Sequence, residues 1–228
     1  VPKGILVSHK SYSHVTQAWR HQFGLEAPGV AQIASSAFDV FYGDIARAFG
    51  TGGRLVLVST ETAASPEYLT ELLHDGRVDF AEFVPSVFRR LASYLSRTGK
   101  RLNISHVVVA SEKWTMGEAR IWITEVLGED SHLHNTYGLA ETTIDSTSCT
   151  VRADDSAPDD AAVPIGRPLP NASVYVVSPY GQLLPRFVVG EILIGGQSVD
   201  NHYIGGAQEN NDKYTDFTAI PGEGSERL

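Results

Sequence analysis

Three consecutive valines, Val107-Val108-Val109, between His106 and Ala110 constrain the fold more than any other stretch of the chain. Side chains alternate between the two faces of a strand, so an unbroken valine run has no polar face and must be covered on both sides. Helices are the usual cover, and the flanking segments supply them. Residues 54–58 and 78–83 read as further strands, and 4–8 as a short buried one. Residues 11–23 have mixed helical spacing, and a turn at Asp39 leads into a helical pattern over 44–49. Ser65 followed by Pro66 is a helix start, serine as the cap and proline at the first position, with the helix running to about His74. Pro85 opens another to about Leu95, and Thr115 with Glu118 forms a capping box for one to about Leu127.

Strand and helix therefore alternate as expected of an α/β protein with a mostly parallel sheet, flanking helices and ligands at the carboxyl ends of the strands. The texture changes near residue 150. Asp154-Asp155-Ser156-Ala157-Pro158-Asp159-Asp160 is acidic and reads as a mobile, solvated connector. Beyond it, 173–177 and 191–194 flank a Pro179-Tyr180-Gly181 turn, the pattern of a smaller antiparallel, barrel-like β lobe. The expected division is 1–150 for the α/β core and 151–228 for the β-rich subdomain.

With 228 residues and 42% hydrophobic content, the chain can bury a sizeable core. No apolar run approaches the roughly 20 residues of a membrane span, so no membrane partner is expected. A net charge of −9 argues against nucleic acid. The single Cys149 rules out an internal disulfide framework and fits a reducing cytoplasm.

The chemistry-bearing stretch is His134-Asn135-Thr136-Tyr137-Gly138-Leu139-Ala140-Glu141-Thr142-Thr143-Ile144-Asp145. Leu133 reads as the end of a buried strand, Gly138 as a sharp turn, and the rest as a polar loop. Glu141 suits Mg²⁺, the hydroxyls and backbone N–H groups suit phosphate oxygens, and Tyr137 offers a stacking face. The same pattern also occurs as ordinary turn chemistry.

N-x-Y-G-x-x-E-T-T resembles the AMP- and magnesium-binding motif of adenylate-forming enzymes, specifically the adenylation domains of nonribosomal peptide synthetases. Four further segments follow in that family's order. Pro2-Lys3-Gly4 with Val7-Ser8-His9 resembles the end of the phosphate loop, and Phe38-Asp39 the motif that holds the substrate amine. Residues 163–168 and 190–196 resemble two later landmarks. The resemblance implies that an amino acid and ATP give an aminoacyl-adenylate. The acyl group would pass to the phosphopantetheine thiol of a peptidyl carrier protein, beside neighbouring synthetase domains, in antibiotic or siderophore biosynthesis. It also implies a fragment that starts inside the phosphate loop and lacks the family's small C-terminal subdomain.

Carried over position by position, the resemblance makes Glu141 the metal ligand and, with Thr142, catalytic. Asn135, Tyr137, Gly138, Ser111, Glu112 and Thr142 would hold the nucleotide. Asp39, Val40, Gly43, Glu82, Val108, Ala110, Thr136, Ile144 and Asp145 would line the substrate pocket. Ala140 stands where the family usually has threonine, and Leu139 where proline is common, which removes one phosphate contact. Gly43 would leave the pocket deep. Glu82 and Asp145 would be two buried like charges, costly unless a cation lies between them. A basic substrate such as ornithine, lysine or arginine would bring one. An acyl- or aryl-CoA ligase of the same superfamily is the first alternative, although its substrates have no amine for Asp39. A non-catalytic binding remnant is the second.

Overall fold

A computed structural model of the chain describes residues 4–204, 213–217 and 226–227. Pro2 and Lys3, expected in the phosphate loop, lie outside the described residues. The elements that build the main body are β1 (Ile5–Leu6), α1 (His9–Phe23), β2 (Gly29–Gln32), α2 (Asp39–Phe49), β3 (Arg54–Leu57), α3 (Thr60–Ala64), α4 (Pro66–Asp75), β4 (Phe80–Phe83), α5 (Pro85–Thr98), β5 (His106–Val109), α6 (Met116–Ile121), β6 (His132–Tyr137), β7 (Thr147–Val151) and β8 (Arg167–Pro168). Seven of these strands form one sheet in the order β3-β2-β4-β5-β6-β7-β8. The first four contacts are parallel and the last two antiparallel. The expected α/β class with a mostly parallel sheet is the observed one.

The valine run does what its composition requires. Val107 and Val109 pack on one face with Phe83, Phe88, Leu91, Trp114 and Trp122. Val108 points to the other face, with Phe80, Trp19, Phe23 and Ala46. The same period of two puts Glu82 on the face of Phe80, toward α1 and α2, and that decides the character of the site.

Several local expectations change. β1 is not buried: Leu6 is exposed, and the strand pairs at its edge with β11 (His202–Tyr203). The helix after Thr115 is regular only to Ile121. It then widens into a π-turn over Trp122–Val126, where Leu127 N–H donates to Trp122 O at 2.8 Å. β6 runs on to Tyr137, so Asn135, Thr136 and Tyr137 are strand residues rather than loop.

The acidic segment after residue 153 is tied down. Arg120 bridges Asp159 and donates to the carbonyl of Asp155 at 2.6 Å and to that of Ala157. The carbonyls of Ala161 and Asp159 accept from Met116 and Gly117, at 2.9 Å each, which satisfies donors left open in the first turn of α6. β7 and β8 also carry the main sheet past residue 150. The later pair, β9 (Ala172–Val177) and β10 (Glu191–Gly196), is antiparallel, as its turn residues required.

His134 lies inside this framework. One ring nitrogen meets Thr150 Oγ1 at 3.0 Å, the other meets His106 Nδ1 at 3.1 Å, and Phe23 packs edge-on 4.9 Å away. Burial, with His106 and His132 adding to it, lowers its pKa to about 3. The folded state thus holds it neutral while the unfolded chain protonates it near pH 6.5. Stability from this group is complete above about pH 6.5 and is lost as pH falls toward about 3. Urea unfolding should therefore show a loss of about 2 kcal/mol between about pH 6.5 and pH 5 that His134→Gln removes. Equal pH slopes in the two proteins would exclude His134 as the source.

Candidate active site

A cavity of about 570 Å³ opens at the carboxyl ends of β4, β5 and β6. Asp39 and Val40 from the start of α2, Glu82 from β4, and Ala110 to Trp114 after β5 line it. Thr136 to Ala140, with Asn135 behind them, and Ile144 with Asp145 complete one wall, and Ala162, Val163 and Ile165 the other. Most residues expected in the nucleotide and substrate sets thus meet around one space.

Local rules explain how each wall is set. Phe38 caps α2 without a side-chain hydrogen bond, so Asp39 occupies the first turn, where the helix dipole favours an anion. Its pKa is raised, first by burial and then by Asp145, against hydrogen bonds from the backbone of Val40 and Asp39 and the pull of Arg47. No ion-pair partner faces Asp39 among the described residues. Val84 likewise leaves α5 uncapped, and Glu112 fills the role by accepting from Ser86 N at 3.2 Å and Ser86 Oγ at 3.1 Å. That bond anchors the turn in which Ser111 takes a positive φ of 74°.

Asn135 is committed to the framework. It accepts from Trp114 Nε1 at 3.3 Å and donates to Pro164 O at 2.9 Å, so its amide fixes the two walls instead of lying free along the cavity. Thr136 differs: it lines the cavity, but at 3% exposure its hydroxyl is itself buried and has no hydrogen-bond partner among the described residues. Gly138 has a steric reason, since a Cβ there would come within 1.8 Å of Ile144 O.

The loop after Gly138 departs from expectation. Thr142 Oγ1 is bonded to Ser146 Oγ at 2.8 Å and to the backbone of Leu139, and Thr143 Oγ1 donates to Ser198 O at 2.8 Å. Both hydroxyls are already used, that of Thr142 within the loop and that of Thr143 on Ser198 and Asn201, and Thr143 and Ile144 take φ of 63° and 71°. Glu141 does not line the cavity either; its carboxylate accepts from Tyr203 Oη, and its carbonyl from Asn201 Nδ2 at 3.0 Å. Among the described residues no group of three or more His, Cys, Asp or Glu is placed to hold a metal ion.

The main correction concerns the pocket floor. Gly43 and Val108 do not line the cavity: Val108 is core, and the space above Gly43 is filled by Arg47, Ile144 and Trp19. Arg47 is 0% exposed and supplies the cation that the substrate was expected to bring. Its Nη1 lies 2.7 Å from Glu82 Oε2 and 3.2 Å from Asp44 Oδ1, and its Nη2 is 2.7 Å from Asp145 Oδ2. Trp19 Nε1 donates to the same Asp145 oxygen at 2.9 Å, and the guanidinium lies over the Trp19 ring at 4.0 Å.

Three carboxylates against one guanidinium leave a surplus of negative charge, which the cluster relieves by holding protons. Burial raises Glu82 to about 8 and Asp44 to about 7, with Arg47 opposing and Asp145 adding in each case. Sequence reading missed Arg47 because an arginine inside a helix normally marks a solvated face. Spacing held the signal: Asp39, Gly43 and Arg47 are four residues apart, hence on one stripe of α2. Trp114 and Lys113, beside the cavity after β5, were also unforeseen.

Known proteins resemble this chain. Tyrocidine synthase 3 of Brevibacillus parabrevis is 33% identical over 224 residues, 97% of this chain and 3% of that protein. Gramicidin S synthase 2 of Brevibacillus brevis is 32% identical over 227 residues, 97% of this chain and 5% of that protein. The chain thus spans less than a tenth of these curated relatives. Among solved structures, the NpsA N-terminal subdomain of Klebsiella oxytoca, in complex with 3-hydroxybenzoyl-AMSN, superposes with a TM-score of 0.83 at 19% identity, covering 100% of this chain and 56% of that one. The nonribosomal peptide synthetase FmoA3 gives 0.85 at 20%, covering 100% of this chain and 24% of its own, and at such identities the likeness is one of fold. Residues 1–204 match the family model described as AMP-binding enzyme, and the chain belongs to that family.

Proposed function

We propose that this chain is the core of an adenylation domain that activates an amino acid for nonribosomal peptide synthesis. A carboxylate oxygen of the amino acid attacks the α-phosphorus of ATP, the bond to pyrophosphate breaks, and aminoacyl-AMP and pyrophosphate result. The acyl group then passes to the thiol of a peptidyl carrier protein beside neighbouring synthetase domains, in the cytoplasm. The observation that carries this reading is the cavity joining Asp39, a carboxylate with no ion-pair partner among the described residues, to the 135–140 stretch. An acyl- or aryl-CoA ligase would leave Asp39 half-buried and uncompensated, because its substrate has no amine.

The reaction needs little proton transfer, since the attacking carboxylate is already a nucleophile, and the chain's task is positioning. Asp39 holds the α-ammonium, Thr136 helps to form the cavity wall, and Tyr137 presents a ring face to the base. Mg²⁺ is commonly held by one or two carboxylates together with substrate phosphates, and Glu141 fits as the protein's share of such a set. Its role when bound is to neutralise phosphate charge. Glu141, whose carboxylate accepts from Tyr203 Oη in this structure, would be the residue to hold the ion.

The side chain of the substrate is uncharged in this reading. Arg47 already fills the place between Glu82 and Asp145, and a second cation about 5 Å from it would be repelled by about 3 kcal/mol. A basic amino acid of the ornithine, lysine or arginine kind is the second reading. It is favoured by the surplus of carboxylates, since Asp44, Glu82 and Asp145 share one guanidinium.

Amino-acid-dependent pyrophosphate exchange tests the main reading. Asp39→Asn should lower kcat/KM for amino acids by about 10- to 100-fold, the loss of one charge-assisted contact. An undiminished rate would mean the amine is held elsewhere. Glu141→Gln should lower exchange at limiting magnesium by at least about tenfold. An unchanged magnesium dependence would end the metal role of Glu141, and no exchange with any amino acid would favour the non-catalytic remnant.

A further inference from the structure

We propose that Arg47 is the specificity-determining residue of the pocket, an internal ligand occupying a cation site that would otherwise accept a basic substrate side chain. This rests on the amino-acid reading above and deepens it. The guanidinium is held as a bound ligand would be. Its two terminal nitrogens are divided between Glu82 and Asp145, Asp44 takes a third contact, and the rings of Trp19 and Phe80 lie 4.0 and 4.9 Å from its centre. Two of the three carboxylates, Glu82 and Asp145, also line the substrate cavity, so the site for the cation and the site for the side chain share a wall.

Gly43 is part of the same device. A Cβ there would come within 3.2 Å of Arg47 Nη1, so the missing side chain makes room for the arginine rather than for substrate. The tether is one helical turn long, from Gly43 to Arg47 on α2. Without the Arg47 head group, a box remains with carboxylates on its sides and aromatic carbon at its ends. An ammonium or guanidinium at the end of a three- or four-carbon stem is its chemical match.

The test is pyrophosphate exchange by the intact protein with norvaline, ornithine and arginine, for wild type, Arg47→Ala and Arg47→Lys. Wild type should prefer norvaline to ornithine by at least about tenfold in kcat/KM, and Arg47→Ala should shift that ratio toward ornithine by at least about 100-fold. Arg47→Lys, which keeps a tethered cation, should keep the wild-type preference. Millimolar guanidinium added to Arg47→Ala should return the preference to norvaline. A wild type that prefers ornithine, or a ratio in folded Arg47→Ala that stays at the wild-type value, overturns the proposal.

Thermal unfolding supplies a readout independent of turnover. Ornithine, arginine or guanidinium should raise the melting temperature of Arg47→Ala, whereas norvaline should not; no rise with any of the cations overturns the proposal. If wild type shows no exchange with any amino acid, the adenylation reading fails by itself, and rescue by guanidinium still decides whether the box is a cation site.

Discussion

The site depends on one buried charge. Arg47 joins three parts of the chain that are distant in sequence: its own helix α2 through Asp44, strand β4 through Glu82, and the loop after β6 through Asp145. Burial alone would pull its pKa down, but the three carboxylates more than reverse that and hold it above its ordinary value. Such a cluster is not a strong source of stability, because desolvation offsets much of the attraction. It is a strong source of definition. Removing Arg47 leaves three buried carboxyl groups without a counter-charge, so the three elements are held to the arrangement that keeps it between them, and that arrangement shapes the floor of the cavity.

Sheet geometry is what delivers the carboxylates. Period-two alternation in β4 sends Phe80 and Glu82 toward α1 and α2, while Phe83 goes to the opposite core. The antiparallel partner β7 then pulls the chain back beside β6, and the tight stretch between them places Ile144 and Asp145 over α2. Two β-branched or bulky residues with positive φ, Thr143 and Ile144, are tolerated there because the side chains around them are satisfied. Structural polar groups such as Asn135, Thr142 and Thr143 hold the walls, while Asp39 faces the cavity with no ion-pair partner among the described residues.

Legibility followed the reach of each signal. Val107 to Val109, Ser65-Pro66 and the Thr115–Glu118 box are local, and each produced the element it promised. The widening after Ile121 was invisible, because it answers to the packing of Trp122 against Phe88 and Trp114, residues far apart in the chain. The acidic loop misled for the same reason: composition describes its average tendency, while Arg120 and the open donors of α6 fix it. In the site, Asp39, Glu82, Asp145 and the 135–140 stretch meet around one cavity, while Glu141, Thr142, Gly43 and Val108 lie outside its lining. What sequence could not show was which polar groups were already paired, since pairing is a three-dimensional fact. Glu82 and Asp145 looked like charges awaiting a partner, and the partner was four residues beyond Gly43.

The two sides of the cavity are built from ion pairs of different kinds. α6 and the segment over 154–163 are fastened at the surface, where Arg89 meets Glu118 at 2.6 Å and Arg120 meets Asp159, both within reach of solvent. The floor is fastened by Arg47, out of contact with water. Counter-ions screen exposed pairs over a Debye length of about 8 Å at physiological ionic strength and about 3 Å at 1 M, and reach buried pairs far less. Rising salt therefore loosens the wall carried by α6 while the floor keeps its shape, so ionic strength acts on the two halves of one cavity separately.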